Sequence, residues 1–157
     1  MIQLYEPQLE DLWFKEAMLS DEETMSYNHA YGGTISFPKE RWKSWFDRWV
    51  VNHETKRFYR YIREKDTFVG EAAYHLDEQQ QIFLADVIVY APHRGKGYGR
   101  AALLLLCEAA KEKGIAELYD EIATDNPGIS LFFSCGFQEV QRTDAGILIK
   151  KELKHCH

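Results

Sequence analysis

Seven consecutive positions, Arg94-Gly95-Lys96-Gly97-Tyr98-Gly99-Arg100, hold three glycines and three cations. They follow an apolar run, Gln81–Tyr90, and open an apolar helical pattern, Gly97–Lys113. A helix N-terminus leaves peptide N–H groups unpaired and adds partial positive charge, so a turn of this kind suits a phosphate. Glycine lets such a ligand come close to the backbone. The P-loop pattern GxxxxGK[ST] is absent. Gly97 to Ala102 fits GxGxxA, and Glu117, Asp120 or Glu121 lies about 20 residues on, as a dinucleotide site would have it. Against that, the strand before the turn belongs to an antiparallel meander, and the remaining chain is too short for the second half of a dinucleotide fold.

A second group of residues could move protons. Asp86 stands inside the apolar run LADVIV, where a carboxylate is costly unless it is paired or functional. It is a candidate general base or amine-orienting group; a structural aspartate at a bulge is the competing reading. Glu71 and His75, on the preceding strand, are secondary candidates. Tyr27, His29 and Tyr31 share a glycine-containing loop and are candidate substrate contacts, with ordinary packing as the alternative. Cys135 has no histidine placed to activate it and reads as a buried thiol. The terminal Lys-His-Cys-His reads as a frayed end, so no metal site is expected.

These residues need elements to position them. Ile2–Tyr5 is a strand, and Pro7 leads into an amphipathic helix carrying Leu9, Leu12, Trp13 and Ala17 to about Leu19. Tyr27–Phe37 has no clear period and reads as a loop. Pro38 opens a helix with Trp42, Trp45, Phe46, Trp49 and Val50 on one face. Arg57–Arg63, Thr67–Leu76 and Gln81–Tyr90 form three antiparallel strands joined by short turns. Gly97–Lys113 is a helix stopped by Gly114. Its first half is apolar nearly all round, which predicts deep packing. Leu118–Ala123 follows a helical crossover and should lie parallel to Gln81–Tyr90. A short helix, Ile129–Ser134, and strands Phe137–Gln141 and Gly146–Glu152 complete the chain.

At 157 residues the chain is expected to form one domain, 1–157. The net charge of −6 disfavours nonspecific nucleic-acid binding. The N-terminus lacks the pattern of a signal peptide, and no apolar stretch reaches membrane-spanning length. The three cysteines, Cys107, Cys135 and Cys156, show no CxxC spacing. Reduced thiols and a cytoplasmic location are the expectation.

The stretch Val89-Tyr90-Ala91-Pro92-His93-Arg94-Gly95-Lys96-Gly97-Tyr98-Gly99 resembles the signature of the GNAT superfamily of N-acetyltransferases. Arg94, Gly97 and Gly99 meet its acetyl-CoA loop pattern, [Q/R]-x-x-G-x-[G/A]. Asn126, Ser130-Leu131-Phe132-Phe133 and Gly136-Phe137 resemble that family's later block. The order of elements also agrees over nearly the whole chain. The resemblance implies an α/β (α+β) fold, with a mixed, mostly antiparallel central sheet flanked by helices on both faces. It implies acetyl-CoA as cosubstrate, held by the N–H groups of Gly95, Lys96, Gly97, Tyr98, Gly99 and Arg100, by the strand end Val87-Ile88-Val89, and by Asn126. Arg94, Lys96 and Arg100 would add side-chain contacts, with solvated surface charge as the alternative. The implied reaction is direct acetyl transfer to a primary amine of a small molecule or peptide. Homodimers are common in similar proteins. The chain departs from the family in its acid/base pair: the usual tyrosine slot is Phe132, and the usual glutamate slot falls near Phe83. Tyr119 and Tyr31 are both open as the acid. The departure also leaves open a noncatalytic acyl-CoA-binding regulatory module of the same fold.

Overall fold

The segment Arg57–Glu64 alternates Phe58, Arg60 and Ile62 with Tyr59 and Tyr61. Its large rings need cover on both faces, and the fold supplies it: Ile62 and Phe58 belong to one apolar cluster, Tyr59 and Tyr61 to another. A computed structural model describes residues 1–153, apart from the side chains of Ala30 and Tyr31. The strands are β1 (Ile2–Tyr5), β2 (Arg57–Glu64), β3 (Thr67–Asp77), β4 (Ile82–Val89), β5 (Glu117–Ile122), β6 (Gln138–Arg142) and β7 (Ile147–Glu152). The helices are α1 (Leu12–Ser20), α2 (Trp42–Phe46), α3 (Tyr98–Glu112) and α4 (Ile129–Ser134).

The seven strands form one sheet in the order β1-β2-β3-β4-β5-β7-β6. All neighbours are antiparallel except β4 and β5, which are parallel as the helical crossover requires. Residues facing one another across a ladder share a face of the sheet, so the registers define rows. Tyr5, Tyr61, Glu71 and Ile88 make one row; Tyr59, Ala73 and Asp86 the next; Arg57, His75 and Leu84 a third. This face is covered by Leu12, Phe14, Met18 and Leu19 of α1 and by the partly buried Trp42, Trp45 and Phe46 of α2. The opposite face carries Ile62, Ala72, Tyr74 and Ala85 and is covered by α3.

Three sequence expectations need correction. The helix after Pro38 is not one regular helix: a 3-10 turn (Lys39–Arg41) leads into α2, and a π turn (Asp47–Val51) follows it. The segment Tyr27–Phe37 is not irregular throughout, because Ser26–Tyr31 coils into 3-10 turns ended by Gly32 at φ +101. Helix α3 is not buried all round: Ala102, Leu103, Leu106, Cys107 and Ala110 face the sheet, while Leu105 is exposed. A helix lying on a sheet has one covered stripe, whatever the composition of its far side. The expected stop at Gly114 is present, at φ +82.

Gly70 lets β3 and β4 approach closely. A Cβ there would stand 2.2 Å from the Ile88 carbonyl oxygen and 3.1 Å from the Ile62 side chain. The β2–β3 register shifts at Ile62/Arg63, beside this point. Tyr90 N–H donates to the Val69 carbonyl at 2.8 Å and extends the β3–β4 pairing to the turn that leads to α3.

Candidate active site

Strands β4 and β5 pair at only two positions, Phe83 with Leu118 and Leu84 with Tyr119. Beyond Leu84 they separate, while β4 stays paired with β3 and β5 with β7. The wedge between them is a cleft of about 1230 Å³. Asp86, Val87, Ile88 and Val89 line one wall; Asp120 to Gly128 line the other. Tyr27, Asn28 and His29 close one side, and Thr143 to Leu148 another. The β4 edge from Ala85 onward has no strand partner on this side, so a ligand can bond to its peptide groups as a strand would.

The glycine turn lies at the end of this wall. Gly95 (φ +81) and Gly97 (φ +83) adopt left-handed conformations, and Gly97 caps α3. Among the described residues, the N–H groups of Gly95, Lys96, Gly97, Tyr98, Gly99 and Arg100 donate to no protein acceptor. Gly99 sets the spacing of the elements: a Cβ there would meet Leu131 of α4 at 3.3 Å and Val89 of β4 at 3.5 Å. Six unpaired N–H groups at a helix start fit a pyrophosphate, and the open β4 edge fits an amide-bearing arm.

The Arg94 side chain is placed otherwise than a phosphate ligand. It donates to the carbonyls of Glu23 (3.2 Å) and Thr24 (2.9 Å). The buried Thr24 hydroxyl accepts from Ala91 N–H at 2.9 Å and bonds to Asp21. Arg94 therefore fastens the segment leading to Tyr27 onto the glycine turn. Asn126 makes a tight side-chain turn, with its Oδ1 accepting from Gly128 N–H at 2.8 Å ahead of α4. The amide nitrogen is left for the cleft.

Asp86 is an exposed residue of the cleft wall, and the walls around it take away only part of its hydration. That desolvation, with the Glu71 carboxylate second, pushes its carboxyl up to about 6; Lys15 and the Val87 N–H act in the opposite sense. Asp120, half-buried on the facing strand, is also raised well above the ordinary carboxylate range, by burial first and Asp86 second. Two carboxyls raised in one cleft, with Asp86 disfavouring the charge on Asp120, are the arrangement of a proton-accepting site. Tyr27 lines the same cleft with 42% of its surface exposed, and partial loss of hydration, then the charges of Asp86, Glu71 and Asp120, push its phenol up.

The structure thus brings together Asp86, Tyr27, His29, Val87, Ile88, Val89, Arg94 and Asn126 on one cleft. It does not bring Glu71 or His75 to it. Glu71 is buried, bound by Lys15 Nζ at 3.1 Å and by the Tyr59 hydroxyl. His75 packs on Trp49, with ring centroids 5.8 Å apart. The Tyr31 side chain and residues 154–157, including Cys156, lie outside the described residues. Tyr119 faces a separate pocket of about 570 Å³, also lined by Phe83 and Tyr74, and bonds to Glu117 at 3.3 Å. Phe132 lines the main cleft, buried edge-on against Phe137 (5.0 Å, 82°). Cys107 and Cys135 are buried free thiols. Among the described residues no group of three or more His, Cys, Asp or Glu is placed to hold a metal, and no helix is long and apolar enough to cross a membrane.

Sequence reasoning missed Asp120 as a member of this site and Lys15 as the partner of Glu71. The signal for Lys15 was present: it falls on the stripe Leu12, Lys15, Met18, Leu19, the apolar side of α1.

The divergent parallel pair, the glycine turn and the one-sided β4 edge define an acyl-CoA-type transferase fold. The family model for the acetyltransferase (GNAT) family matches residues 8–137, and the chain belongs to that family of N-acetyltransferases. It is 38% identical over 82 residues to YycN, an uncharacterized N-acetyltransferase of Bacillus subtilis (strain 168). That match covers 50% of this chain and about half of the relative, 52%. Among solved structures, the spermidine N-acetyltransferase of Vibrio cholerae, in complex with CoA and spermine, superposes with a TM-score of 0.81 at 15% identity, over 97% of this chain and 95% of that one. The PaiA N-acetyltransferase of Thermoplasma acidophilum, in complex with coenzyme A, gives 0.69 at 16% identity, over 97% and 99%. At these identities the likeness is one of fold.

Proposed function

We propose that this protein transfers the acetyl group of acetyl-CoA directly to a primary amine, with the amine and the thioester meeting between Asp86 and the open edge of β4. The observation that carries this is the pairing of six free N–H groups at the α3 start with an unpaired strand edge that leads to a carboxyl poised near neutral pH. The N–H groups of Gly95 to Arg100 hold the pyrophosphate. The β4 edge from Val87 to Val89 runs beside the pantetheine arm, and a peptide N–H near Val89 polarises the carbonyl. Acetyl-CoA supplies an activated acyl group and a thiol leaving group. Asn126 contacts the arm from the other wall.

An ammonium has no lone pair, and a lysine-like amine titrates near ~10.4. Asp86 accepts its proton, directly or through a water, and the upward displacement of its carboxyl brings base and amine closer in basicity. Asp120, whose carboxyl burial and Asp86 push towards the protonated form, offers the amine a hydrogen-bonding partner on the facing wall. A thiol of ordinary acidity, near ~8.5, leaves as the thiolate without strong acid assistance. The phenylalanine at position 132 is therefore compatible with turnover. Water in the open cleft returns the proton, with the Tyr27 phenol as a further hydrogen-bond donor.

The cleft favours a small cationic amine as acceptor. Asp86, Asp120, Glu121, Asp125 and Asp144 all line it, while the guanidinium of Arg94 is engaged by carbonyls. Polyamines, the class bound by the Vibrio cholerae neighbour, are the first acceptors to assay. The second reading, a CoA-binding module without catalysis, rests on Phe132. Release of CoA thiol with spermidine, spermine and a peptide N-terminus separates the two. Amine-dependent release supports the enzyme. Saturable acetyl-CoA binding with no release on any amine supports the module.

A further inference from the structure

Behind the Asp86 wall lies an ion pair that the acetyl-transfer reading leaves unused. Lys15 Nζ meets Glu71 Oε1 at 3.1 Å, with the two side chains 9% and 7% exposed. Among the described ion pairs it is the one with both ends buried. The ammonium is boxed by Trp45 (4.7 Å), Tyr59 (4.8 Å) and Phe37 (5.9 Å). The Tyr59 hydroxyl donates to the same oxygen of Glu71. The backbone of Lys15 is fixed as well, its N–H donating to the Tyr61 hydroxyl at 3.2 Å, which in turn donates to the Asp11 carbonyl at 2.8 Å. Such burial is expensive, and an apolar pair of similar volume would be no worse for stability.

Its place in the sheet gives it a use. Glu71 faces Ile88, and Ala73 faces Asp86, so Glu71 and Asp86 are diagonal neighbours on one face of β3 and β4. Diagonal neighbours lie about 7–8 Å apart. Ala73 places only a methyl group between Tyr59 and Asp86, so no bulky side chain of this row screens the pair from the cleft. The charged and titratable groups acting on Asp86 from its surroundings are Glu71 on β3, Lys15 on α1, Tyr59 on β2, Tyr27 on the 3-10 turn and Asp120 on β5.

We propose that Lys15 is a positioning residue for proton transfer at Asp86: it holds Glu71 as a fixed, compensated anion, so that the substrate's proton is delivered to Asp86 and not shared with Glu71. The proposal rests on the reading of Asp86 as the base. Without Lys15, the Glu71 carboxylate would repel charge on Asp86 across one face with nothing to offset it. With it, Asp86 senses a dipole whose negative end is nearer.

The test is the acid limb of kcat/KM against pH, in wild type, Lys15→Met, Glu71→Gln, the double variant and Asp86→Asn, with acetyl-CoA and spermidine or another amine the wild type turns over. Lys15→Met leaves Glu71 uncompensated, and the last proton leaves at higher pH: the midpoint moves up by about one pH unit. Glu71→Gln leaves the cation uncompensated, and the midpoint moves down by a similar amount. The double variant returns towards wild type. Losses of rate with unmoved midpoints, or shifts of the same sign in both single variants, overturn the proposal. An acid limb that persists in Asp86→Asn overturns the base reading instead. Should Lys15→Met fail to fold, Glu71→Gln together with the titration of the Asp86 carboxyl carbon, followed by NMR, decides it. An unmoved Asp86 midpoint refutes the role.

Discussion

Replacing Asp86 with Asn removes the carboxyl proposed as the base while keeping the side-chain volume. The carboxyl is pushed up to about 6, mainly by loss of hydration and by Glu71. For wild type, kcat/KM should therefore rise about tenfold per pH unit below 6 and flatten above it, with about nine-tenths of the base ionised at pH 7. In Asp86→Asn that limb should vanish, and the plateau should fall by roughly 10²–10⁴-fold, the usual worth of a positioned base. Stability should move the other way. A carboxyl raised in the folded state binds its proton more tightly there than in the unfolded chain. It favours folding as pH falls through 6 towards 4 and opposes it above 6. Asp86→Asn should thus raise Tm at pH 8, and the gain should disappear near pH 4. The assays are steady-state thiol release across pH 5–9 and thermal unfolding at the two extremes. An acid limb at the same pH in the variant, or a lowered Tm at pH 8, would refute the reasoning.

Other variants probe the walls of the same cleft. Gly97→Val forces a β-branched residue to φ +83, a strain of at least ~1–2 kcal/mol. No atom lies within 4 Å of the new Cβ, so the effect is conformational, and calorimetry should show CoA affinity reduced at least about tenfold. Arg94→Ala removes the two bonds to the Glu23 and Thr24 carbonyls. It should raise KM for the amine more than Kd for CoA, because it frees the segment that leads to Tyr27. Gly70→Ala drives a methyl into the Ile88 carbonyl at 2.2 Å. Denaturant titration should show a loss of about 1–3 kcal/mol or more.

The meander, the glycine turn and α3 were legible because their signals are local: strand-like runs joined by short turns, glycines at a helix start, and Gly114 at its end. The parallel placement of β5 followed from the helical crossover. Asp120 was legible only as one of three acids about 20 residues past the glycine turn, not as a neighbour of Asp86, since ELYDEI otherwise reads as an ordinary strand. Only the divergence of β4 from β5 carries it to Asp86. Glu71 looked like a cleft carboxylate until its partner was seen. Lys15 pairs with it across 56 positions, a contact that no local period announces. The shared face of Trp42, Trp45, Phe46 and Trp49 was legible and packs on the core, but the π turn at Asp47–Val51 was hidden, because an i→i+5 turn changes hydrogen bonding without changing composition. Phe132 was visible from the start as a departure from the family. The structure adds that its ring is packed against Phe137, so no hydroxyl stands in its place.

The most direct test of the account is a crystal structure with CoA bound. It should show pyrophosphate oxygens on the N–H groups of Gly95 to Arg100, the pantetheine arm along Val87 to Val89, and the sulfur facing Asp86. A CoA whose sulfur points away from Asp86, or which lies outside the wedge between β4 and β5, would contradict it.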